Sequence, residues 1–387
     1  MGEVFDRLWE KAGKNKVPLT GAFELLPTCN LSCKMCYVRK DMAEVKAAGG
    51  LLPTEFWLDI ARQAMEGGLL LPLLTGGEPF LRQDIQTLIA KMQEMGLQIS
   101  INSNGTLIDE AMAKWLGKHC PTRINITLYG ASEDTYEALC GDGGAYNRVR
   151  RAVDWLKQNN VPVKFNTSIT QYNMHDLDEI ILYAKSQGSP IQVATYMFPP
   201  VRRDGNMVGQ NDRMTPDQAA RAKVRADWLQ QEPAWFRAQA KRFSRFVPVT
   251  EEMLLHQAQQ APSELRCRAG RCSFWVDWQG NLGNCGMNTM FKSSLREHSF
   301  TEAWQEITEK TEKLRYSAVC TNCPNYWLCH ACAAMVANET GSLDGRPEYL
   351  CQVSELSAKY YQEYAKLLPE VSADLNDVQI KSHICDL

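Results

Sequence analysis

The stretch GAFELLPTCNLSCKMCY, residues 21–37, joins a short apolar run to three closely spaced cysteines. Gly21–Leu26 reads as a strand, and Cys29, Cys33 and Cys36 follow it directly. A closed structural zinc site takes four ligands, yet no fourth cysteine lies near.

Further apolar runs occur at 69–74, 97–102, 123–129, 161–169 and 191–197. Amphipathic segments separate them. One is expected to start with Thr54 as N-cap and to stop at Gly67-Gly68. Others carry Ile85, Leu88, Ile89 and Met92, or Val149, Ala152, Val153 and Leu156, or Leu177, Ile180, Ile181 and Ala184. Strand–helix alternation with near-continuous apolar strands implies parallel strands joined by crossovers. Six such units predict an α/β fold, a partial (β/α)6 barrel. Sites in parallel sheets form at the C-terminal strand ends. There the pattern puts Cys29–Tyr37, then Thr75–Pro79 (TGGEP), then Asn102–Gly105 (NSNG), all on one rim.

The chain has 387 residues and a formal charge of −3, too little positive charge for a nucleic-acid footprint. Arg202-Arg203 is read as solvated surface. Apolar runs are too short to span a bilayer, and the N-terminus lacks the apolar stretch of a signal peptide. A cytoplasmic protein that engages neither nucleic acid nor membrane is expected. Of the 14 cysteines, three lie at 29–36 and eight at 267–351, a clustering that reads as metal binding rather than disulfides. Expected boundaries are 1–200 for the barrel, 201–264 for a helical connection broken at Pro233, 265–352 for a cysteine-rich domain with little regular structure, and 353–387 for a closing helix and mobile polar tail.

A cubane [4Fe–4S] cluster needs an outer ligand on each iron, usually a thiolate. Three cysteines leave one iron open for another ligand. Cys29-x3-Cys33-x2-Cys36 followed by Tyr37 resembles the signature of the radical S-adenosylmethionine (SAM) superfamily. The resemblance implies that SAM chelates the open iron and is reductively split to a 5′-deoxyadenosyl radical, which takes hydrogen from a substrate. It places Tyr37 near the adenine, and Gly76, Gly77, Glu78 and Pro79 at the SAM amino group. Ser103, Asn104 and Thr127 would line the ribose pocket. Paired glycines suit this because they let backbone approach a ligand.

Cys267, Cys272, Cys285, Cys320, Cys323, Cys329, Cys332 and Cys351 resemble a SPASM domain. By spacing alone, two four-cysteine zinc sites are also compatible. The resemblance implies two auxiliary [4Fe–4S] clusters, one on Cys267, Cys272, Cys285 and Cys332, the other on Cys320, Cys323, Cys329 and Cys351. Cys329 and Cys332 sit one residue closer than in the family pattern, and Cys272 lies in the atypical context RAGRCSFW. The first auxiliary site then has either four or three protein ligands. His330 is read as a bystander.

The resemblance implies peptide or protein modification, such as an oxidative thioether or carbon–carbon crosslink. Flavodoxin or ferredoxin would supply electrons. Only 28 residues precede Cys29, so a separate peptide-recognition protein is a possible partner. A small-molecule dehydrogenase or epimerase is the alternative, and a non-catalytic cysteine-rich protein a remote one. Sulfatase maturases resemble this chain but carry Asp where Gly286 follows Cys285, so their base is not visible. No catalytic residue is assigned. Cys120, Cys140 and Cys385 are weighed as hydrogen donors, with Cys140 read as buried filler. Arg203 and Asp204 are read as a solvated turn and Tyr196 as core.

Overall fold

The computed structural model describes residues 2–368. Cys385 and the polar tail lie outside the described residues. Six strands, β1 (Thr20–Glu24), β2 (Leu71–Thr75), β3 (Ser100–Ser103), β4 (Arg123–Thr127), β5 (Val163–Ser168) and β6 (Ile191–Ala194), run parallel in the order of the sequence. Helices Thr54–Glu66, Ile85–Glu94, Glu110–Lys118, Ala145–Gln158 and Leu177–Ser186 make the crossovers. Their apolar stripes fall on the positions expected from periodicity. Trp57, Ile60, Ala61 and Ala64 are buried in the first, for example. Phe23 of β1 is fully buried, with Trp57 on one side at 6.2 Å and Phe274 on another at 5.8 Å, both edge-on. Each such side chain contributes about 2 kcal/mol of burial.

Thr54 does not cap its helix. Pro53 holds the N-cap position and Thr54 is the first helical residue. The Thr54 hydroxyl instead donates to Asp84, which also pairs with Arg82. Arg82 donates Nη1 to the carbonyls of Leu25 (3.1 Å) and Leu52 (3.2 Å). This buried cation therefore ties the chain leaving β1 to the segment entering the helix.

The sheet does not end at β1. Strand β7 (Ser273–Val276) pairs parallel to β1, with Thr20 opposite Ser273 and Phe23 opposite Val276. Strands β8 (Asn281–Gly283) and β9 (Ser293–Ser294) follow antiparallel, which makes nine strands in all. The run SFWV at 273–276 lies in the cysteine-rich stretch, and nothing in its composition reveals that it joins the barrel sheet.

Helices Pro216–Gln230 and Pro233–Phe243 occupy the connecting stretch, and Glu348–Ala365 closes on them through a stacked Phe243–Tyr361 pair at 4.4 Å. No described helix is long and apolar enough to cross a membrane.

Candidate active site

The rim foreseen from the strand ends is present as a hydrogen-bonded unit. Gly77 N donates to Leu26 O at 2.7 Å and Glu78 N to Thr28 O at 3.0 Å. The paired glycines serve this contact. A Cβ on Gly77 would lie 2.0 Å from Thr28 O, and one on Gly76, at φ +148°, would lie 2.3 Å from Leu26 O. Such approaches exclude any side chain. The glycines thus press the β2 loop against the chain that leads into the cysteines.

Glu78 is fully buried, and its carboxylate is spent on the neighbouring loop. It accepts from Ser103 Oγ (2.9 Å), Asn104 N (2.7 Å) and Phe80 N (3.1 Å). Burial pushes its pKa up to about 7, partly offset by those three donors. Pro79 opens the turn that presents the Phe80 donor. Asn104 continues the chain of contacts. Its Nδ2 donates to Asn30 Oδ1 at 2.9 Å and to Cys29 Sγ at 3.6 Å.

The three N-terminal thiols lie within reach of each other's charge. Leu31 N donates to Cys29 Sγ at 3.4 Å and Arg39 N to Cys36 Sγ at 3.3 Å. Burial pushes the Cys29 thiol up to about 12 and raises Cys36 as well. Cys33 behaves differently. A hydrogen bond with Cys140 holds it below the usual thiol range and raises Cys140, and Tyr129 adds a second bond to Cys33. Cys140 ends the helix Glu133–Cys140, whose last carbonyls accept from Ser32 N (2.9 Å) and Lys34 N (3.0 Å). Cys140 is buried, as expected, but it braces the cysteine loop rather than filling space.

Among the described residues, no three Cys, His, Asp or Glu side chains converge where a single ion could sit. A cubane makes no such demand, since it spreads its ligands over several irons. Backbone donors aimed at Cys29 and Cys36, and the Asn104 amide aimed at Cys29, suit sulfurs that carry cluster charge. The barrel's inner face is polar near the strand ends. Thr127 ends β4 opposite Asn166, and Asn125 donates to Asn102 Oδ1 at 2.7 Å. Among the described residues, the buried Asn125 Oδ1 and Asn166 Oδ1 have no partner. Buried acceptors of this kind call for donors such as hydroxyl or ammonium groups.

A second group at the mouth was missed in the sequence. Glu24, at the end of β1, is fully buried. Arg202 donates Nη2 to both its oxygens at 2.9 Å, and Trp275 Nε1 donates to Oε2 at 3.0 Å. Arg202 lies 5.5 Å from the centre of the Tyr37 ring. Arg202 is therefore not solvated surface, because a buried carboxylate requires its cation. Burial still raises the Glu24 pKa, against the pull of Arg202. Burial raises the Tyr37 pKa, and Cys285 of the cysteine-rich part is close enough for its charge to add to that rise. Gly286, beside Cys285, has the Trp275 ring where a side chain would be. A Cβ there would lie 2.7 Å from it. Asp204 is exposed and caps the turn Gly205–Met207. Tyr196 donates to Glu339 at 2.7 Å.

In the C-terminal part, burial raises the thiol pKa values of Cys320, Cys323 and Cys351, and the like charge of Cys329, close to all three, adds to the rise. Cys267, Cys285 and Cys332 lie in turns in which backbone N–H groups face sulfur. Cys272 is elsewhere, buried against the first helix, Gly2–Asn15. His330 contacts Arg242 at 3.2 Å, and burial lowers its pKa to about 4.

Residues 23–184 match the Radical SAM superfamily. The chain carries a radical SAM domain. Its radical SAM domain therefore spans the cysteine loop, the glycine-rich loop and strands β1 to β5. The family's cofactors are SAM and a [4Fe–4S] cluster. The chain is similar to the AdoMet-dependent heme synthase of Nitratidesulfovibrio vulgaris, at 25% identity over 342 residues, 83% of this chain and 88% of that protein. It is also similar to the PqqA peptide cyclase of Granulibacter bethesdensis, at 32% over 166 residues, 43% of this chain and 44% of that protein. In fold it resembles anSMEcpe solved with AdoMet and the Cp18Cys peptide. The TM-score is 0.65 at 17% identity, over 90% of this chain and 98% of that one. The likeness of fold thus extends beyond the radical SAM match into the cysteine-rich part.

Proposed function

We infer that this radical SAM enzyme oxidatively modifies a peptide or protein side chain, with electrons from a flavodoxin- or ferredoxin-type donor. Cys29, Cys33 and Cys36 would hold the cluster that, with SAM, supplies a 5′-deoxyadenosyl radical. Asn125, Asn166 and Thr127 would orient the nucleotide on the polar inner face. Glu78 positions the loop of Ser103 and Asn104 and does not itself face the nucleotide. The eight later cysteines suggest two auxiliary clusters of the SPASM type, with Cys272 the outlier. A separate peptide-recognition protein would be a further partner.

The observation that carries this reading is the placement of Tyr37. It follows Cys36 of the SAM-type cysteine loop and lies near Cys285, beside an arginine whose Nη1 is buried and without a partner among the described residues. A substrate seated there would meet the radical source and an auxiliary cluster together. Arg202 Nη1 would donate to its carbonyl or carboxylate. The curated cyclase and the peptide in the anSMEcpe structure support a peptide as substrate. The Trp275 ring over Gly286 leaves no place for an aspartate, which weighs against sulfatase-type maturation.

Iron-loaded protein given SAM and dithionite should release 5′-deoxyadenosine. A precursor-like peptide encoded beside the gene should then lose hydrogen by mass. Absence of nucleoside release from fully loaded protein would sink the reading.

A second reading, a carboxylate-bearing tetrapyrrole as substrate, is favoured by the heme synthase similarity, which spans 83% of this chain against 43% for the cyclase. Fold alone does not decide between them. Adding an iron porphyrin and following its visible absorption band separates the two.

A further inference from the structure

The resemblance assigns four cysteines to the first auxiliary site, but the structure treats them unequally. Ala269 N donates to Cys267 Sγ at 3.3 Å, Met287 N to Cys285 Sγ at 3.4 Å, and Met335 N to Cys332 Sγ at 3.5 Å. Each is a tight turn, two or three residues long, that folds a backbone donor onto its own sulfur. Hydrogen bonds to sulfur are a standard means of stabilising cluster thiolates. The three turns are also linked. Cys332 caps the helix Ala333–Thr340, and Asn338 of that helix donates to Met287 O, in the Cys285 turn, at 3.0 Å. Cys267 packs in the same small core as Ala333 and Tyr316, and Tyr316 donates to Ala331 O at 3.3 Å.

Cys272 shares none of this. It immediately precedes β7, and its carbonyl accepts from Thr20 N at 3.1 Å. Side chains alternate along a strand. Cys272 therefore falls on the side of Phe274, which packs on Phe300 and Trp304, and not on that of Trp275, which faces Glu24 and Gly286. It is 1% exposed, among Ala12, Leu19, Trp9 and Val17. A Cβ on Gly13 would lie 3.8 Å from its sulfur. Burial raises its thiol pKa, against the opposing charges of Arg268 and Arg271. Among the described residues no backbone N–H donates to its sulfur. Moving it to the other face would require β7 to shift by one residue against β1, which would reverse every side chain in that strand.

We propose that Cys272 is a packing residue and that Cys267, Cys285 and Cys332 alone hold the first auxiliary cluster, leaving one iron free for a thiolate from outside the protein. This rests on the reading of the C-terminal cysteines as cluster ligands. A soft thiolate is the class of ligand such an iron selects. Binding would replace a solvent ligand on that iron, which returns to bulk water. The incoming thiol gives its proton to solvent as the sulfur–iron bond forms, and no electron moves.

The test uses the full chain, reconstituted with iron and sulfide. Wild type should hold about twelve irons if all three sites are cubanes. Cys272→Ala and Cys272→Val should keep that number, whereas Cys285→Ala and Cys332→Ala should each lose about four. In a C29A/C33A/C36A background, which removes the other open iron, L-cysteine should change the EPR spectrum of one reduced cluster. Loss of about four irons from both Cys272 variants, folded by circular dichroism, overturns the proposal. So does an EPR spectrum that L-cysteine leaves unchanged, and this arm decides the matter if the Cys272 variants do not fold. Wild type with only about four irons would instead overturn the functional reading, and the proposal with it.

Discussion

Arg202 and Glu24 form a buried ion pair across the barrel mouth, with Nη2 2.9 Å from each carboxylate oxygen. The pair lies 178 residues apart in sequence and joins the end of β1 to the segment past β6. Removing one partner strands the other in a site that water does not reach. Arg202→Gln should therefore cost about 3–5 kcal/mol of stability. The double variant R202M/E24Q should recover much of that loss. Anaerobic urea unfolding of wild type, R202Q, R202M, E24Q and the double variant measures both effects, and additive losses of R202M and E24Q would show that the two residues are not coupled.

Asn104 offers a second prediction. Its amide donates to Cys29 Sγ at 3.6 Å. A donor aimed at sulfur favours the reduced, more negative cluster. Asn104→Ala should lower the reduction potential of the SAM-binding cluster and leave iron content unchanged. An EPR-monitored redox titration reads the shift, and a potential equal to or above wild type would contradict the assignment.

Glu78 should make stability depend on pH. Its folded pKa of about 7 lies above the ordinary value of 4.5. Below 4.5 the acid is protonated in both states and contributes nothing. As pH rises from 4.5 to about 7, the folded state binds more protons than the unfolded one, and stability falls. The loss is at most about 3 kcal/mol. Glu78→Gln cannot ionise, so this component should be missing from its profile. Urea unfolding of both proteins across that range gives the difference, and parallel profiles would refute it.

Cys140 bonds to Cys33 but is not read as a ligand. Cys140→Ala should retain wild-type iron content and 5′-deoxyadenosine release, with a changed EPR line shape for the SAM-binding cluster. Loss of about four irons would make Cys140 essential to the site.

The strands were legible because buried parallel strands are written as apolar runs, and the helices because their stripes repeat at helical spacing. Cys29, Cys33 and Cys36 were legible for a different reason: their spacing is local and their place after β1 follows from the strand pattern. What escaped was set by distant partners. Glu24 left one signal, a carboxylate inside the apolar run GAFELL, but its cation lies beyond β6 and its indole donor in β7. The resemblance groups Cys272 with Cys267 and Cys285, and spacing does not say which side of a strand a sulfur occupies. The glycines of TGGEP were rightly expected to permit close approach, but what approaches them is the chain's own backbone.

Pairing of β7 with β1 also limits how this protein can be divided. A shortened chain that stops before residue 265 would bare one whole border of β1, from Thr20 to Phe23, with its amide and carbonyl groups unpaired. Such a border is a template for joining to another molecule. The isolated barrel should therefore associate or precipitate, and its solubility depends on the same segment that carries the later cysteines.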